Sequence, residues 1–205
     1  MFTNQNNQAL KTGIIILAAG SSSRLGRPKQ LLDYKGKTLL QTVINEALET
    51  NCTPVIVVLG ANAKEIASQH DNDRISIVIN DSWENGMASS IVAGLSAMIK
   101  TDSEIDSIII AVADQAFIKM SNFNNLIEKH TATGKNIIAS AYDETIGTPV
   151  FFKKDYFEEL LALSGTEGAK KILKQYPQDL ETVVFERGGI DIDTETDYNH
   201  LISQQ

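Results

Sequence analysis

A chain of 205 residues is long enough for one domain with a sizeable core, and its 42% apolar content places it among globular proteins. A net charge of −8 excludes a general nucleic-acid binder, which needs a basic face. One cysteine, Cys52, rules out an intramolecular disulfide, and no apolar run approaches membrane-spanning length.

Residues 1–12 are polar, rich in Asn and Gln, and lack the apolar segment of a signal peptide. They read as a flexible N-terminal tail, leaving 13–205 as a single domain. A cytoplasmic location follows, with neither nucleic acid nor membrane as partner. The run 13–17 (GIIIL) opens the domain, and 55–59 (VIVVL), 75–79 (ISIVI) and 108–112 (IIIAV) repeat its character. These runs are continuous rather than alternating, as in strands buried on both faces of a parallel sheet. Helical patterns lie between them. Thr38 to Glu49 carries an apolar stripe, Ala63 to Gln69 a shorter one, and Met87 to Lys100 a third. Ser121 to Thr131 reads as a helix capped by Ser121 or Asn122.

Further strands are expected at 136–140, 148–152 and 182–185, with Pro149 marking a strand start or an edge. Helices at 153–163 and 166–176 separate the last pair, and a terminal helix starts near Thr194 with Asp197 three residues on. Strand–helix alternation of this kind builds right-handed β-α-β units. The fold class is therefore α/β: one three-layer α/β/α domain with a mostly parallel, mixed sheet.

The chemistry starts where the first strand ends. Leu17-Ala18-Ala19-Gly20-Ser21 runs on through Arg24 and Gly26 to Pro28 and Lys29. Small residues let backbone N–H groups approach phosphate oxygens; Arg24 offers a bidentate fork and Lys29 a point charge. The run is neither a P-loop nor a dinucleotide fingerprint, because its glycines are spaced for neither. Asp114 follows the fourth long strand, at the edge where ligands bind in open α/β sheets. It can face the phosphates and hold Mg2+. Asp191 and Asp193, two residues apart ahead of the last helix, can share a divalent ion. Gly86, Ser89 and Ser90 stand at a helix start, where free N–H groups attract anions. The segments 146–152 and 165–173 each read alone as a turn and an element start. Cys52 reads as a buried inert thiol, and His70, His130 and His200 as surface residues near helix ends.

The strings LAAGSSSRLGRPKQLL, NDSWENGMASSIVAGL, ADQAF, GTPVFF, GTEGAKKIL and DIDTETDY occur in this order between about residues 13 and 200. Together they resemble the molybdenum cofactor nucleotidyltransferase family, in its molybdopterin cytidylyltransferase-like branch, within the Rossmann-like NTP-transferase fold. Ala19, where the guanylyl branch usually has Gly, favours cytidine by analogy. The chain departs from the family pattern at Thr196, where Pro is common, and at Lys170, where Arg is common. Lys170 keeps the charge and loses the fork.

The resemblance implies transfer of CMP from CTP, or of another NTP's nucleotide, onto the phosphate of a molybdopterin-type acceptor with release of pyrophosphate. It implies Mg2+, with Mn2+ as the alternative ion, and a molybdenum hydroxylase as the partner served. Catalytic roles then fall to Lys29, Arg24 and Asp114. Nucleotide binding falls to Leu17, Ala18, Ala19, Gly20, Ser21, Arg24, Lys29, Gly86, Ser89 and Ser90, and the metal to Asp114, Asp193 and Asp191. Three other readings stay open: a sugar-phosphate acceptor, a non-catalytic carrier delivering the molybdenum cofactor, and a nucleotide-binding oxidoreductase. The last lacks a flavin or nicotinamide signature.

Overall fold

The computed structural model describes residues 10–70, 72–166 and 168–203. Its long strands are β1 (Thr12–Ala18), β4 (Val55–Leu59), β5 (Ile75–Ile79), β6 (Ser107–Val112), β7 (Ile137–Tyr142), β8 (Thr145–Lys153) and β9 (Leu180–Val184). A short hairpin, β2 (Asp33–Tyr34) and β3 (Lys37–Thr38), stands apart; its two-residue strands leave no periodicity to read. The helices are α1 (Leu39–Leu48), α2 (Ala63–Ala67), α3 (Met87–Thr101), α4 (Met120–Thr133), α5 (Phe157–Leu161), α6 (Lys170–Gln175) and α7 (Glu195–Ser203).

The seven long strands form one sheet in the order β5-β4-β1-β6-β8-β7-β9. All neighbours are parallel except β8, which runs antiparallel to both β6 and β7. The period-2 side-chain pattern divides the isoleucines of β1 between two cores. Ile14 and Ile16 enter the cluster under α1, α2 and α4, with Phe123 and Phe151. Ile15 and Leu17 enter the cluster under α3, α5 and α6, with Leu95 and Phe152. Both faces of β1 are covered, which explains the continuous apolar run.

Pro149 is a correction. It lies inside β8, a central strand, rather than at a start or an edge. The register slips there: Ala139 pairs with Val150, but Ser140 pairs with Gly147, so Thr148 and Pro149 leave the β7 ladder. A bulge is where a strand tolerates a proline, because its missing N–H costs no ladder bond.

Within the span expected as a tail, the described residues Leu10 to Thr12 lead into and open the sheet. Thr12 opens β1, its Oγ1 lies 2.7 Å from Ser107 Oγ, and Lys11 pairs with Asp102 at 2.6 Å. The remaining expected tail, 1–9, lies outside the described residues. The α4 cap sits earlier than expected: the Lys119 N–H donates to Asn122 Oδ1 at 2.8 Å, and the Met120 N–H donates to Glu46 Oε2 at 2.8 Å. The α7 start behaves as its spacing predicts, with Thr194 N–H and hydroxyl both donating to Asp197 Oδ2. Burial raises the Cys52 thiol pKa, consistent with an inert core thiol. His70 is a further correction: it is 5% exposed, with Nδ1 3.1 Å from Gln41 Oε1. Among the described residues no helix is long and apolar enough to cross a membrane.

The parallel strands change winding direction at β1, with β4 on one side and β6 on the other. Ligands bind at such a switch point, outside the carboxyl ends of the strands. The loop after β1 and the turn after β6 both meet there. A third, small cluster of Leu25, Leu32, Tyr34, Leu39, Ala116, Ile192 and Leu201 pins the loop, the hairpin and the C-terminal segment to this edge.

Candidate active site

The loop after β1 doubles back on itself. Ser22 takes a left-handed φ of 54°, and its carbonyl accepts from the Leu25 and Gly26 N–H groups. Gly26, at φ 74°, completes the reversal without a Cβ penalty. Leu25 is buried beneath the loop, so Arg24 is left outside while Lys29 is turned inward. The Ser22 Oγ accepts from the Lys29 N–H at 3.0 Å, which ties the two ends of the loop together.

Lys29 is the centre of a charge cluster. Its Nζ lies 2.6 Å from Asp114 Oδ2 and 2.8 Å from Asp193 Oδ1. Arg24 reaches the other oxygen of Asp193 at 2.6 Å. Residues from three distant stretches thus converge on one point. Burial works against the Lys29 charge, but the Asp114 carboxylate and the hydrogen bonds to Asp114 and Asp193 outweigh it and hold its pKa above the ordinary lysine value. The Lys29 hydrogen bond, with the Lys29 and Arg24 charges behind it, overcomes burial and lowers the Asp193 pKa. Asp191 behaves oppositely. Burial first, and the like charge of Asp114 second, push its pKa up to about 6, against the pull of Lys29.

Two cavities flank Asp114. One, of about 350 Å3, is lined by Leu17, Ala18, Ala19, Gly20, Ser21 and Lys29 of the loop and by Trp83, Gly86 and Ser90 opposite. The other, of about 340 Å3, is lined by Tyr142, Thr148, Lys170 and Asp191. Met87, Val112 and Asp114 line both, so the two hollows meet at Asp114. The segments 146–152 and 165–173, bland when read singly, come together in the second cavity. Gly86 joins them structurally: at φ 97°, a Cβ there would lie 2.7 Å from the Gly165 carbonyl oxygen.

The structure does not gather every expected residue. Ser89 faces a separate hollow beside Asn80 and Ser82, and its hydroxyl donates to the Gly86 and Ser82 carbonyls. Asn80 Nδ2 donates to the hydroxyls of Ser89 and Ser90 at 2.8 and 3.0 Å, which anchors the start of α3. Asp191 makes no direct ion pair with Lys29 and belongs to the second cavity. Sequence reasoning missed Tyr142 and two glutamines. Gln115, one residue past Asp114, donates from Nε2 to the Thr148 carbonyl at 2.8 Å and the Gly188 carbonyl at 3.0 Å. It thereby holds the β8 bulge and the C-terminal segment to the Asp114 turn. Gln30 plays a comparable part beneath the loop. The burial of a polar residue beside a motif is the signal, and sequence alone does not carry it.

Among the described residues, no group of three or more His, Cys, Asp or Glu side chains forms a cage for a metal ion. Asp114 and Asp193 nevertheless converge on one cation, the Lys29 ammonium. An all-oxygen pair of this kind fits a hard divalent ion, which takes one or two carboxylates and completes its shell with phosphate and water.

A family model described as a MobA-like NTP transferase domain matches residues 14–180, from β1 to the start of β9. Asp191 and Asp193 lie beyond that span. Nicotine blue oxidoreductase of Paenarthrobacter nicotinovorans is 33% identical over 88% of this chain and 91% of its own. Molybdenum cofactor cytidylyltransferase of Escherichia coli is 35% identical over a shorter stretch, 41% of this chain and 44% of its own. Among solved structures, Rv0371c of Mycobacterium tuberculosis superposes with a TM-score of 0.82 at 25% identity, covering 96% of this chain and all of that one. A complex of Rv0371c with manganese superposes at a TM-score of 0.77, with 24% identity, over 95% of this chain and 100% of that chain.

Proposed function

The chain belongs to the MobA-like NTP transferase family, and from that premise we propose that it moves CMP from CTP onto the phosphate of a molybdopterin-type acceptor, releasing pyrophosphate. The observation that carries this reading is the Lys29–Asp114–Asp193 cluster at the junction of two cavities. One cavity takes the nucleotide and the other the acceptor, and Asp114 stands where the two reacting groups meet.

The reaction needs little covalent chemistry from the protein. An oxygen of the acceptor phosphate attacks the α-phosphorus, the bond from that phosphorus to the β-phosphate's bridging oxygen breaks, and pyrophosphate leaves with the electron pair. A phosphate monoester is largely deprotonated at neutral pH, so no general base is required. Catalysis rests on positioning and on charge neutralisation.

The backbone of Leu17, Ala18 and Ala19 lies against the base, and the N–H groups of Gly20 and Ser21, with Arg24, hold the β- and γ-phosphates. Gly86 and Ser90 close the opposite wall, while Ser89 acts through Asn80 by fixing the start of α3. Lys29 leaves its two carboxylates and neutralises charge building on the α-phosphate. Asp114 and Asp193, with Asp191 from the acceptor side, would hold Mg2+ or Mn2+. When bound, the ion would supply neutralisation of the charge that develops on the phosphates. Lys170 and Tyr142 line the acceptor side. A molybdenum hydroxylase is the proposed destination of the product.

A thermal-shift series tests this reading: CTP, GTP, ATP and UTP, each with Mg2+, with Mn2+ and without metal. Metal-dependent stabilisation greatest with CTP supports it, because a ligand that binds only the folded state raises the midpoint. No shift with any nucleotide contradicts it. The 33% identical relative is named an oxidoreductase, which makes redox use of the same cleft the second reading. NADH, NADPH and FAD in the same series address it: stabilisation by one of these, and not by CTP, favours that reading.

A further inference from the structure

Gln30 is 2% exposed and directly follows Lys29. Its Nε2 donates to the Ala18 carbonyl at 2.8 Å and to the Gly20 carbonyl at 3.0 Å. Its Oε1 lies 3.5 Å from the Ser22 hydroxyl, whose oxygen in turn accepts the Lys29 N–H. Two carbonyl acceptors fix the orientation of the amide, since only its NH2 end can serve both. The carbonyl of Ala19, between them, points elsewhere and accepts the Ala61 N–H at 3.1 Å.

These bonds have a consequence for the loop's polarity. Across a trans peptide, the carbonyl of one residue and the N–H of the next point to opposite sides. Drawing the Ala18 and Gly20 carbonyls onto Gln30 therefore turns the Ala19 and Ser21 N–H groups away from it. Drawing the Ala19 carbonyl onto Ala61 turns the Gly20 N–H away from that side. A loop of small residues has no side chains to fix these peptide planes, and a flipped peptide would present an oxygen to a phosphate.

We propose that Gln30 is a positioning residue that locks the peptide planes of residues 18–21 so that the loop presents N–H donors to polyphosphate. The proposal deepens the nucleotidyl-transfer reading and rests on it for the identity of the ligand. Gln30 lines the floor of the nucleotide cavity, but its amide NH2 is taken up by the Ala18 and Gly20 carbonyls, so it acts through the loop backbone. The same side chain also couples the loop to Lys29, through Ser22.

Two variants of the full chain test it. Gln30→Met keeps the volume and loses the donor. Gln30→Glu places an acceptor against two carbonyls when ionised and regains one donor when protonated. The probe is inorganic tripolyphosphate by calorimetry, followed by CTP with Mg2+. At pH 8, both variants are expected to bind tripolyphosphate at least tenfold more weakly than the unmodified chain. At pH 5, Gln30→Glu recovers toward the unmodified chain and Gln30→Met does not. A purely space-filling role would give no such recovery. Binding by both variants within twofold of the unmodified chain overturns the proposal.

If the unmodified chain binds neither probe, the nucleotidyl reading fails, and amide exchange decides the role of Gln30 separately. The Ala61 and Lys29 N–H groups, which bond the Ala19 carbonyl and Ser22 Oγ, should exchange at least tenfold faster in Gln30→Met; unchanged exchange overturns the locking role. Should neither Gln30 variant fold, Ser22→Ala, which removes the partner of Gln30 Oε1, is read by tripolyphosphate affinity and by Ala61 N–H exchange alone, with the same expected and overturning results.

Discussion

Asp191 is expected to cost the ligand-free protein stability, and replacing it by Asn should recover that cost. Its pKa rises from an ordinary value near 3.8 to about 6, through burial and the charge of Asp114. A rise of that size corresponds to at most about 3 kcal/mol against the ionised form. Its carboxyl is desolvated while the residue as a whole stays exposed, and solvent screening reduces the figure to about 1 kcal/mol. The sign follows from proton uptake. Between pH 3.8 and about 6 the folded state holds a proton that the unfolded state releases, so the stabilising contribution is complete below that window and is lost as pH rises through it. Asn carries no charge at any pH. Asp191→Asn should therefore raise the melting temperature at pH 8 by about 2–4 °C, on the scaling for a chain of this size. Near pH 4 the gain should shrink toward zero. Calorimetric melts in metal-free buffer at the two pH values provide the comparison. An unchanged or lower midpoint at pH 8 would refute the view that Asp191 is held in an unfavourable field.

Three other perturbations discriminate as sharply. Lys29→Ala should lower kcat by about 100-fold or more while leaving CTP affinity within about tenfold, because its role lies in charge that builds on the α-phosphate; steady-state kinetics beside calorimetric binding would show instead a loss confined to binding if that role is wrong. Gly94→Ala should destabilise by about 1–3 kcal/mol in urea unfolding, because the added Cβ would stand 2.6 Å from an Ile15 methyl and 2.9 Å from a Val58 methyl. That clash outweighs the gain of about 1 kcal/mol in helix propensity, and a neutral result would contradict the close packing of α3 on the sheet. Burial lowers the His70 pKa, and its Nε2 has no partner. Its stabilising contribution is complete above about pH 6.5 and is lost as pH falls toward the lowered folded value. The stability of the unmodified chain relative to His70→Gln should therefore fall as pH drops below about 6.5, in paired urea unfolding at neutral and mildly acid pH, and an unchanged difference would contradict the burial of a neutral imidazole.

Much of the fold was legible because β1, β4 and β6 are buried on both faces, which writes unbroken apolar runs into the sequence. The α7 start was legible because Thr194 and Asp197 form a local, reciprocal bond. Pro149 misled because the bulge that tolerates it depends on a register slip between β7 and β8, a pairing invisible from one strand. His70 misled because it is buried and bonded to Gln41 of α1, 29 residues away, a long-range contact that the local sequence does not reveal. In the site, Lys29 and Asp114 stood out because they follow strand ends and are scarce cation and anion in small-residue loops. Gln30 and Gln115 did not, since a glutamine beside a motif is ordinary until its amide is found bonded to buried carbonyls. The second cavity was legible only as fragments, because Tyr142, Thr148, Lys170 and Asp191 come from four separate stretches.

The central claim is nucleotidyl transfer at the Lys29–Asp114–Asp193 junction. Its most direct measurement is pyrophosphate release from CTP in the presence of molybdopterin and Mg2+, comparing the unmodified chain with Asp114→Asn. The account predicts acceptor-dependent release of one pyrophosphate per cytidylated product, and its collapse in the variant. No release from the unmodified chain with CTP or any other nucleotide, under conditions where the protein is folded, would contradict the account.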